Sequence, residues 1–526
     1  MAIELSDLTF TEQDDIVPES GQYDQIVNTY IVNTLAGNDR ITGTGTEEDP
    51  PYGFKNEGIL NTADGDDIII GNIIIDGFPF SSGEFNIINW GTLNTGEGDD
   101  LIDGNQVISF GSSGIDATGT LNAGGGDDTI TGAGGPSGTG IVVGTGTLNM
   151  GEGNDLIGAS GGIWGMGLSL SDGGTIDTGN GEDSVSSGEG FYNGGEVFLG
   201  EGNDSIFVSK FPRLGYESAL ENYNTIDMGD GNDRIYSDGR FINRGNVFLG
   251  EGNNSIFSSF GLNNYNNIEG RDGNDGIGGA SWVENEGVIN TGKGNDSISS
   301  EGTILNTGNV FLGEDDDSII SEGTFVNRGN VFLGEGNDSI TANKEFYYYE
   351  RALENFSFIG TGDGNDIITS HNGRIIYNEG VIETGNGDDS IIVEGGVDDD
   401  ITGNTYGIYN NGGAINMGDG NDSIIANEGF ESGPNSSGAW FLGEGEDYIK
   451  GYGSGDFYGG NGNDTLELTP GTYTVGIWGE GSDTSAIFTK GNQLMITSEF
   501  ETLIAGGITY NFASLIAGQI ITVAEV

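Results

Sequence analysis

Residues 330–340 read NVFLGEGNDSI, and residues 309–319, which lie 21 positions earlier, read NVFLGEDDDSI. Both segments contain an acidic turn that aligns on the last Asp of Gly-x-Gly-[Asn/Asp]-Asp. Alignment of the whole chain on this position gives 18 copies, of which seventeen have Asp and one has Asn. The aligned positions are 39, 67, 100, 128, 155, 183, 204, 233, 254, 275, 296, 317, 338, 366, 389, 422, 447 and 464. A unit repeated at such short spacing is typical of a solenoid.

Apolar residues flank every copy at fixed offsets. The residue two positions after the motif Asp is always aliphatic, as at Ile340, and the residue seven positions before it is always apolar, as at Val331 and Trp440. Eleven positions before the Asp most copies have Asn, as at Asn306 and Asn327. Every step from 233 to 338 is 21 residues, and steps of 27 to 29 are common elsewhere. The pattern predicts two short strands and two turns per period.

This period is too short for a strand–helix unit and suits one rung of a parallel β-helix or β-roll. We therefore predict an all-β solenoid of about 18 rungs over residues 28–468, with an N-terminal cap at 1–27. Residues 469–526 alternate apolar and polar side chains and predict a small C-terminal β cap, because the end of a solenoid is an open sheet edge. The Asn positions predict either a ladder of stacked amides or plain Asn-x-Gly turns.

Composition limits the classes of function. The chain has 526 residues and 101 Gly, with 83 acidic residues against 15 basic ones and a net charge of -68. Such a charge opposes a compact state unless cations intervene, and it argues against nucleic acid as a partner. The absence of Cys excludes disulfides and thiolate metal sites. A solvated acidic surface of the halophilic kind is an alternative, but the acids are placed periodically.

Export signals and membrane spans give a second set of expectations. Residues 1–16 lack the basic start and apolar run of a cleaved signal peptide, so export is expected to use another signal. The sequence has no apolar stretch long enough for a transmembrane segment.

Stacked acidic turns favour a divalent cation. Carboxylates at the rung spacing repel by about 1 kcal/mol in water and by several at a protein-like dielectric. Sites rich in carboxylate and carbonyl oxygens suit Ca²⁺ better than Mg²⁺, which demands a strict octahedron. Zinc and copper are disfavoured, because the chain has one His and no Cys. The sequence therefore predicts several Ca²⁺ ions along one edge of the solenoid.

Residues 459–466 read GGNGNDTL and match in full the unit Gly-Gly-x-Gly-x-Asp-x-apolar of RTX, or hemolysin-type calcium-binding repeat, proteins. The chain resembles this family over roughly residues 28–468. The resemblance implies that the motif Asp binds Ca²⁺ with loop carbonyls, that the chain folds on external calcium, and that it leaves the cell by type I secretion with a C-terminal signal. The ligands so implied are Asp67, Asp100, Asp128, Asp155, Asp183, Asp204, Asp233, Asp275, Asp296, Asp317, Asp338, Asp366, Asp389, Asp422, Asp447 and Asp464.

The chain departs from the family pattern in two ways. The first Gly of the unit is usually replaced, and the motif comes once per 21 or more residues instead of in tandem nonapeptides. Four copies are expected to be weak sites. Asn254 lacks the carboxylate, Arg271 and Asp315 replace glycines of the Gly-x-Gly pattern, and Leu35 replaces the first Gly of that pattern in copy 39. The alternative is a turn that binds no metal in any copy.

An enzyme is a minor alternative. His371 is the only histidine, which excludes a His-Glu-x-x-His protease, and Gly-x-Ser-x-Gly at 158–162 is expected by accident in so glycine-rich a chain. A carbohydrate-active parallel β-helix, either a polysaccharide lyase or an epimerase, would need a basic cluster, but the basic residues are scattered. Aromatic insertions at 210–222 and 344–355 would either stack on sugars or a partner, or cover the core. We predict a non-enzymatic calcium-binding structural or adhesive protein, extracellular or at the cell surface, with glycans or other surface proteins as candidate partners.

Overall fold

The computed structural model describes residues 2–18, 24–45, 52–73, 85–106, 113–162, 165–209, 218–343, 351–371, 375–398, 405–433, 438–479 and 485–525. Contacts between residues divide the chain into two units, Met1–Asp272 and Gly273–Val526. Both units consist mainly of stacked parallel strands, and the described residues also include short 3-10 turns at Leu5–Asp7 and Phe512–Ser514. The prediction of an all-β parallel solenoid is confirmed. Most of the two aromatic insertions, at 210–217 and 344–350, lies outside the described residues.

Each turn contains three strands, so the prediction of two strands was wrong. One turn consists of Thr303–Asn306, Asn309–Glu314 and Ser318–Ser321. We name the three sheets the asparagine sheet, for the Asn that ends most of its strands, the pre-turn sheet and the post-turn sheet, which flank the acidic turn. Successive strands pair in parallel and in register. The strand that the sequence pattern does not predict is the one in the asparagine sheet. It ends at the Asn, a residue that is disfavoured in strands and typical of turns.

The strand bounds in Met1–Asp272 are as follows. The asparagine sheet contains Ala2–Glu4, Gln25–Asn28, Tyr52–Asn56, Phe85–Asn89, Ser113–Ala117, Ile141–Val143, Leu168–Leu170, Phe191–Asn193, Ser218–Asn222, Arg240–Asn243 and Leu262–Asn264. The pre-turn sheet contains Ile31–Asn33, Ile59–Asn61, Thr92–Glu97, Thr120–Gly125, Thr147–Glu152, Thr175–Asp177, Glu196–Phe198, Thr225–Asp227, Asn246–Gly250 and Asn267–Gly270. The post-turn sheet contains Ile16–Val17, Arg40–Gly45, Ile68–Ile73, Leu101–Gln106, Thr129–Ala133, Leu156–Ser160, Ser184–Ser187, Ser205–Val208, Arg234–Ser237 and Ser255–Ser258.

The strand bounds in Gly273–Val526 follow the same scheme. The asparagine sheet contains Trp282–Asn285, Thr303–Asn306, Phe325–Asn327, Arg351–Asn355, Ile375–Asn378, Ile408–Asn410 and Phe430–Ser432. The pre-turn sheet contains Val288–Lys293, Asn309–Glu314, Asn330–Glu335, Phe358–Asp363, Val381–Asn386, Ala414–Asp419, Ala439–Gly445 and Gly455–Gly462. The post-turn sheet contains Gly276–Gly279, Ser297–Ser300, Ser318–Ser321, Ser339–Ala342, Ile367–Ser370, Ser390–Val393, Ser423–Ala426, Tyr448–Lys450 and Thr465–Leu468. A small antiparallel pair joins Val397–Asp398 to Thr405–Tyr406.

Three apolar ladders fill the interior of each unit. In one turn Ile304, Val310 and Ile319 point inward from the three strands, and at most 4% of each is exposed. Alternation along a strand turns the neighbouring side chains outward. Burial of one such aliphatic side chain stabilises the fold by roughly 1.5 to 3 kcal/mol. The two ladders predicted around the acidic turn are therefore present, and the asparagine sheet adds a third.

The Asn side chains form a buried hydrogen-bonded ladder, which decides between the two alternatives that the sequence left open. The Nδ2 of Asn285 donates to the Oδ1 of Asn306, and the Nδ2 of Asn306 donates to the Oδ1 of Asn327, both at 2.9 Å. The Nδ2 of Asn306 also donates to the carbonyl of Asn330 in the next turn at 3.1 Å. In Met1–Asp272 the same ladder runs through Asn193, Asn222, Asn243 and Asn264.

The chain after Leu468 forms antiparallel strands. Gly471–Trp478 pairs with Ser485–Lys490, which pairs with Gln493–Ser498, and Thr502–Ala505 pairs with Ile508–Asn511. Gly471–Trp478 also pairs with Ile520–Val523. Two of these strands extend the solenoid sheets in parallel, because Gln493–Ser498 joins the pre-turn sheet and Thr502–Ala505 joins the post-turn sheet.

The number of rungs differs slightly from the 18 predicted. At the copy that ends in Asp464, an isolated bridge between Phe430 and Gly453 stands in place of a strand of the asparagine sheet. Complete three-strand turns are therefore slightly fewer than motif copies. None of the helices among the described residues is long and apolar enough to cross a membrane.

Candidate metal centre

The acidic turn joins a pre-turn strand to a post-turn strand and depends on a left-handed backbone. Gly126, two residues before Asp128, has φ +126°, and a Cβ added there would lie 2.2 Å from the carbonyl oxygen of Gly98 in the preceding turn. Only glycine fits such an approach without strain. Two of the copies predicted to be weak keep this backbone at a cost, since Leu35 has φ 74° and Asp315 has φ 84°.

A third weak copy changes the pre-turn strand itself. In the copy that contains Arg271, the register of the pre-turn sheet shifts, so that Gly250 pairs with Gly270. The irregular pairing lies directly before Arg271, where most other copies have Gly.

Every motif Asp points into the solenoid. All sixteen Asp residues predicted as ligands are at most 3% exposed, and so are Asp39 and Asn254. Charged residues are rarely buried to this degree unless they are paired, hydrogen-bonded or bound to a metal. The structure thus arranges the predicted ligands as one buried column in each unit.

One carboxylate oxygen of the motif Asp accepts a backbone hydrogen bond from the preceding turn along most of the column. The N–H of Asp317 donates to the Oδ1 of Asp338 at 2.7 Å, and the N–H of Asp338 donates to the Oδ1 of Asp366 at 2.8 Å. The same bond, at 2.7 to 3.0 Å, joins successive copies from Asp39 to Asp233 and from Asp275 to Asp464. This ladder positions the carboxylates that accept its bonds.

Residues outside the repeat complete the ladder. The N–H of Asp464 donates to the Oε2 of Glu501 at 2.9 Å, and the N–H of Asp15 donates to the Oδ1 of Asp39 at 2.8 Å. Sequence reasoning missed Glu501, because it lies beyond the last copy and belongs to no motif.

In several copies the second carboxylate oxygen, Oδ2, is buried and lacks a hydrogen-bond donor. Copies in which Oδ2 has this environment include Asp128, Asp155, Asp204, Asp317, Asp338, Asp422, Asp447 and Asp464. In other copies a Thr lies five residues before the motif Asp, as Thr95 does before Asp100. Its side-chain hydrogen bond lowers the pKa of the carboxyl, but burial raises that pKa by more. A buried polar atom without a partner costs about 1 to 3 kcal/mol, and more when it is charged.

The Asn254 copy shows what faces this second oxygen. Asn254 keeps the ladder, because its Oδ1 accepts the N–H of Asp233 at 2.9 Å. Its Nδ2, which takes the place of Oδ2, donates to the carbonyl oxygen of Gly252 at 3.1 Å. By equivalence of the turns, an Asp places a carboxylate oxygen against this carbonyl oxygen. Two oxygens in that position need either a proton or a cation between them.

Burial raises the pKa of the motif carboxyls far above the ordinary value. Desolvation is the largest cause, and the carboxyls of neighbouring turns add to it, as Asp296 and Asp338 do at Asp317. The pKa rises to about 8 at Asp317, to about 7 at Asp67, Asp128, Asp204, Asp338 and Asp422, and to about 6 at Asp100, Asp155, Asp296, Asp389, Asp447 and Asp464. The ionised column is therefore unfavourable without a compensating charge.

A second, solvent-facing ladder runs along the outside of the same turn. The residue before the motif Asp uses its side chain to accept a backbone N–H from the next turn, as Asp66 does from Asp99 at 3.1 Å and Asp99 from Asp127 at 2.8 Å. In the described ranges no three side chains of His, Cys, Asp or Glu converge on one point. A cation in this turn would therefore need backbone carbonyls as well as carboxylates, a hard oxygen set that suits Ca²⁺.

Comparisons with known proteins give little beyond this geometry. No protein-family model matches the chain, and no curated protein matches it. Among solved structures, the chain is similar to the crystal structure of a hyperactive, Ca²⁺-dependent, β-helical antifreeze protein from an Antarctic bacterium. The two are 19% identical, the match covers 79% of this chain and 83% of that one, and the TM-score is 0.34. At this identity and TM-score we base no functional argument on the likeness.

Proposed function

We propose that this protein is a calcium-binding structural solenoid, in which Ca²⁺ neutralises the buried column of motif carboxylates. One observation carries the proposal: in copies such as Asp338 the second carboxylate oxygen is buried, without a donor, at a position that faces a backbone carbonyl in the Asn254 copy. A net charge of -68 gives such a column no internal counter-charge. Bound cations are the physical means by which so acidic a chain becomes compact.

The residues that would hold the ion are the motif Asp and the residue two positions before it. In the copy of Asp338 these are the Oδ2 of Asp338 and the carbonyl of Gly336. When bound, Ca²⁺ supplies positive charge and a link between oxygens that otherwise repel one another. Asn254 would not bind, because its amide already donates to the carbonyl. Because adjacent sites share the ladder, we expect binding to be cooperative within a unit.

The setting we propose is the cell surface or the extracellular space. The support comes from the resemblance to RTX repeats and from the calcium requirement itself, since calcium-dependent folding suits a chain that folds after export. We further propose that the antiparallel strands after Leu468 cap the solenoid. Glu501 supports that role, because it continues the Asp ladder past the last repeat. The partners proposed for this surface are glycans or other surface proteins.

A second candidate is a solenoid held by protons without any metal. The observation that favours it is the raised pKa of the column, about 7 at Asp338, which allows a proton to bridge the two oxygens near neutral pH. In that case the protein would be a calcium-independent structural solenoid that loosens at alkaline pH.

Calcium titration at two pH values separates these candidates. The full chain, freed of metal with chelator, is followed by circular dichroism and isothermal calorimetry at pH 6 and pH 8, with Mg²⁺ as the control cation. We expect calcium to restore β structure at pH 8 with several ions bound per chain. Equal β structure in chelator at pH 8, with no calcium heat, would contradict the proposal. The carbohydrate-active alternative stays a prediction, and incubation with polysaccharides followed by product analysis tests it.

A further inference from the structure

A face of the pre-turn sheet in Gly273–Val526 has no charge at its centre. The strands Asn309–Glu314, Asn330–Glu335 and Phe358–Asp363 lie side by side, and each turns two side chains outward before the acidic turn. These outward residues are Asn309, Phe311, Asn330, Phe332, Phe358 and Gly360. A charge-free area of this kind is unusual in a chain with 83 acidic residues.

The aromatic residues of this face form one exposed column. The rings of Phe311 and Phe332 are stacked with their centroids 5.2 Å apart, and those of Phe332 and Phe358 are 5.1 Å apart. Phe311 and Phe332 are 40% and 38% exposed. The ring of Phe358 lies over Gly360, where an added Cβ would be 2.8 Å from it, so glycine allows this ring to join the column. Exposed aromatic side chains in a contiguous row are typical of binding surfaces.

A column of amides runs beside the rings. The Nδ2 of Asn330 donates to the Oδ1 of Asn309 at 2.9 Å, which fixes both side chains on the strand surface. An amide carries two donor hydrogens and an acceptor oxygen, so one bond does not use its full capacity. The face therefore combines a row of apolar rings with a parallel row of hydrogen-bonding groups at the same spacing.

We propose that this face binds a neutral, extended β-linked polysaccharide lying along the stacking direction of the strands. The rings of Phe311 and Phe332 are stacked on each other, so the C–H groups of a sugar would lie along the parts of the rings that stay exposed, and its hydroxyls match amide donors and acceptors. The spacing of 5.1 to 5.2 Å between rings is close to the length of one hexose in an extended β-1,4-linked chain. A polyanion is disfavoured, because the turn beside this face carries Glu335 and Asp363 on a chain of charge -68. This inference does not depend on which cation fills the acidic turn.

Affinity electrophoresis and calorimetry of the calcium-loaded full chain test the proposal. The probes are cellohexaose, mannohexaose and xylohexaose, with oligogalacturonate as the acidic control. We expect at least one neutral probe to bind, oligogalacturonate not to bind, and F311S/F332S to weaken binding by about tenfold or more.

F441S is the matched control, because Phe441 is equally exposed at 40% and stacks on Tyr458 at the same motif offset in another copy, but the row beside its ring contains Ala439 and Asp456 in place of the two amides. It should leave binding unchanged, and unaltered circular dichroism of both variants excludes misfolding as the cause. The proposal is overturned if no neutral probe binds, if the acidic probe binds more tightly, or if light scattering shows a dimer of the chain that F311S/F332S dissociates.

Discussion

The substitution Asp338→Asn replaces the buried carboxylate oxygen with an amide and should copy the natural Asn254 turn. In calcium-free protein the new Nδ2 donates to the carbonyl of Gly336, while the Oδ1 keeps the hydrogen bond from Asp317. The variant therefore removes a charge without breaking the ladder. We expect it to stabilise the calcium-free solenoid and to destabilise the calcium-loaded one.

The magnitude follows from the pKa of Asp338, which burial raises from 3.8 to about 7. A carboxyl with a raised folded-state pKa contributes full stability below its unfolded pKa and loses it as the pH rises through the folded pKa. Because the carboxyl ionises more readily in the unfolded chain, the raised pKa costs the fold less than about 1 kcal/mol at pH 4, about 3 kcal/mol at pH 6 and about 4 kcal/mol at pH 8. Asp338→Asn should recover about 3 kcal/mol at pH 6 in the absence of calcium.

Hydrogen–deuterium exchange is the appropriate assay, because a repeat protein opens locally and lacks one global unfolding free energy. In chelator at pH 6, exchange of the amides around Asp317 should slow by roughly a hundredfold in the variant, and much less at pH 4. In saturating calcium the same amides should exchange faster than in the wild type, because one ligand is lost.

Asn254→Asp is the reverse control. It should destabilise the calcium-free protein at pH 6 and add one calcium site. The reasoning fails if Asp338→Asn speeds exchange in chelator, since Oδ2 would then have a donor in the wild type. It also fails if calcium does not reverse the sign of the effect.

Three further outcomes are expected. Raising the pH of calcium-free protein from 6 to 8 should progressively unfold it by circular dichroism, because the raised carboxyl pKa values favour the protonated column; unchanged spectra would contradict this. Asn306→Ala should lower the melting temperature of calcium-loaded protein by an amount equivalent to about 1 to 3 kcal/mol, because the Nδ2 of Asn285 loses its acceptor; a neutral result would show that water replaces it. Gly126→Ala should destabilise the protein by at least about 1 to 3 kcal/mol in the same melting experiment. Gly125→Ala should be nearly neutral, because its Cβ would meet only the flexible end of a Glu side chain. Equal effects of the two substitutions would refute the argument from the close backbone approach.

Much of the fold can be predicted from the repeat alone. A fixed spacing between Val331, Asp338 and Ile340 is enough to indicate a strand on each side of a turn, because only a stacked solenoid keeps such offsets through so many copies. The period also excludes a helix in the rung. Parallel, in-register pairing follows, since each residue meets its own equivalent in the next turn.

The environment of the site could not be predicted in the same way. Asp338 looks like an exposed ligand in sequence, because acidic residues in glycine-rich turns are usually solvated. Its burial depends on the left-handed backbone at Gly336 and on a hydrogen bond from another turn, neither of which is local. The role of Glu501 could not be predicted either, because it depends on a contact between stacked turns and Glu501 belongs to no motif.

The two buried ladders share a direction. In each of them a turn donates its hydrogen bonds to the following turn and accepts from the preceding one, as Asn285, Asn306 and Asn327 do. Any turn is thus compatible with any other as its neighbour, apart from the ends. Recombination between repeats in the gene can then insert or delete whole turns without leaving an unmatched amide inside. Related chains should differ in length by whole turns, so that chain length becomes a heritable trait that varies in discrete steps.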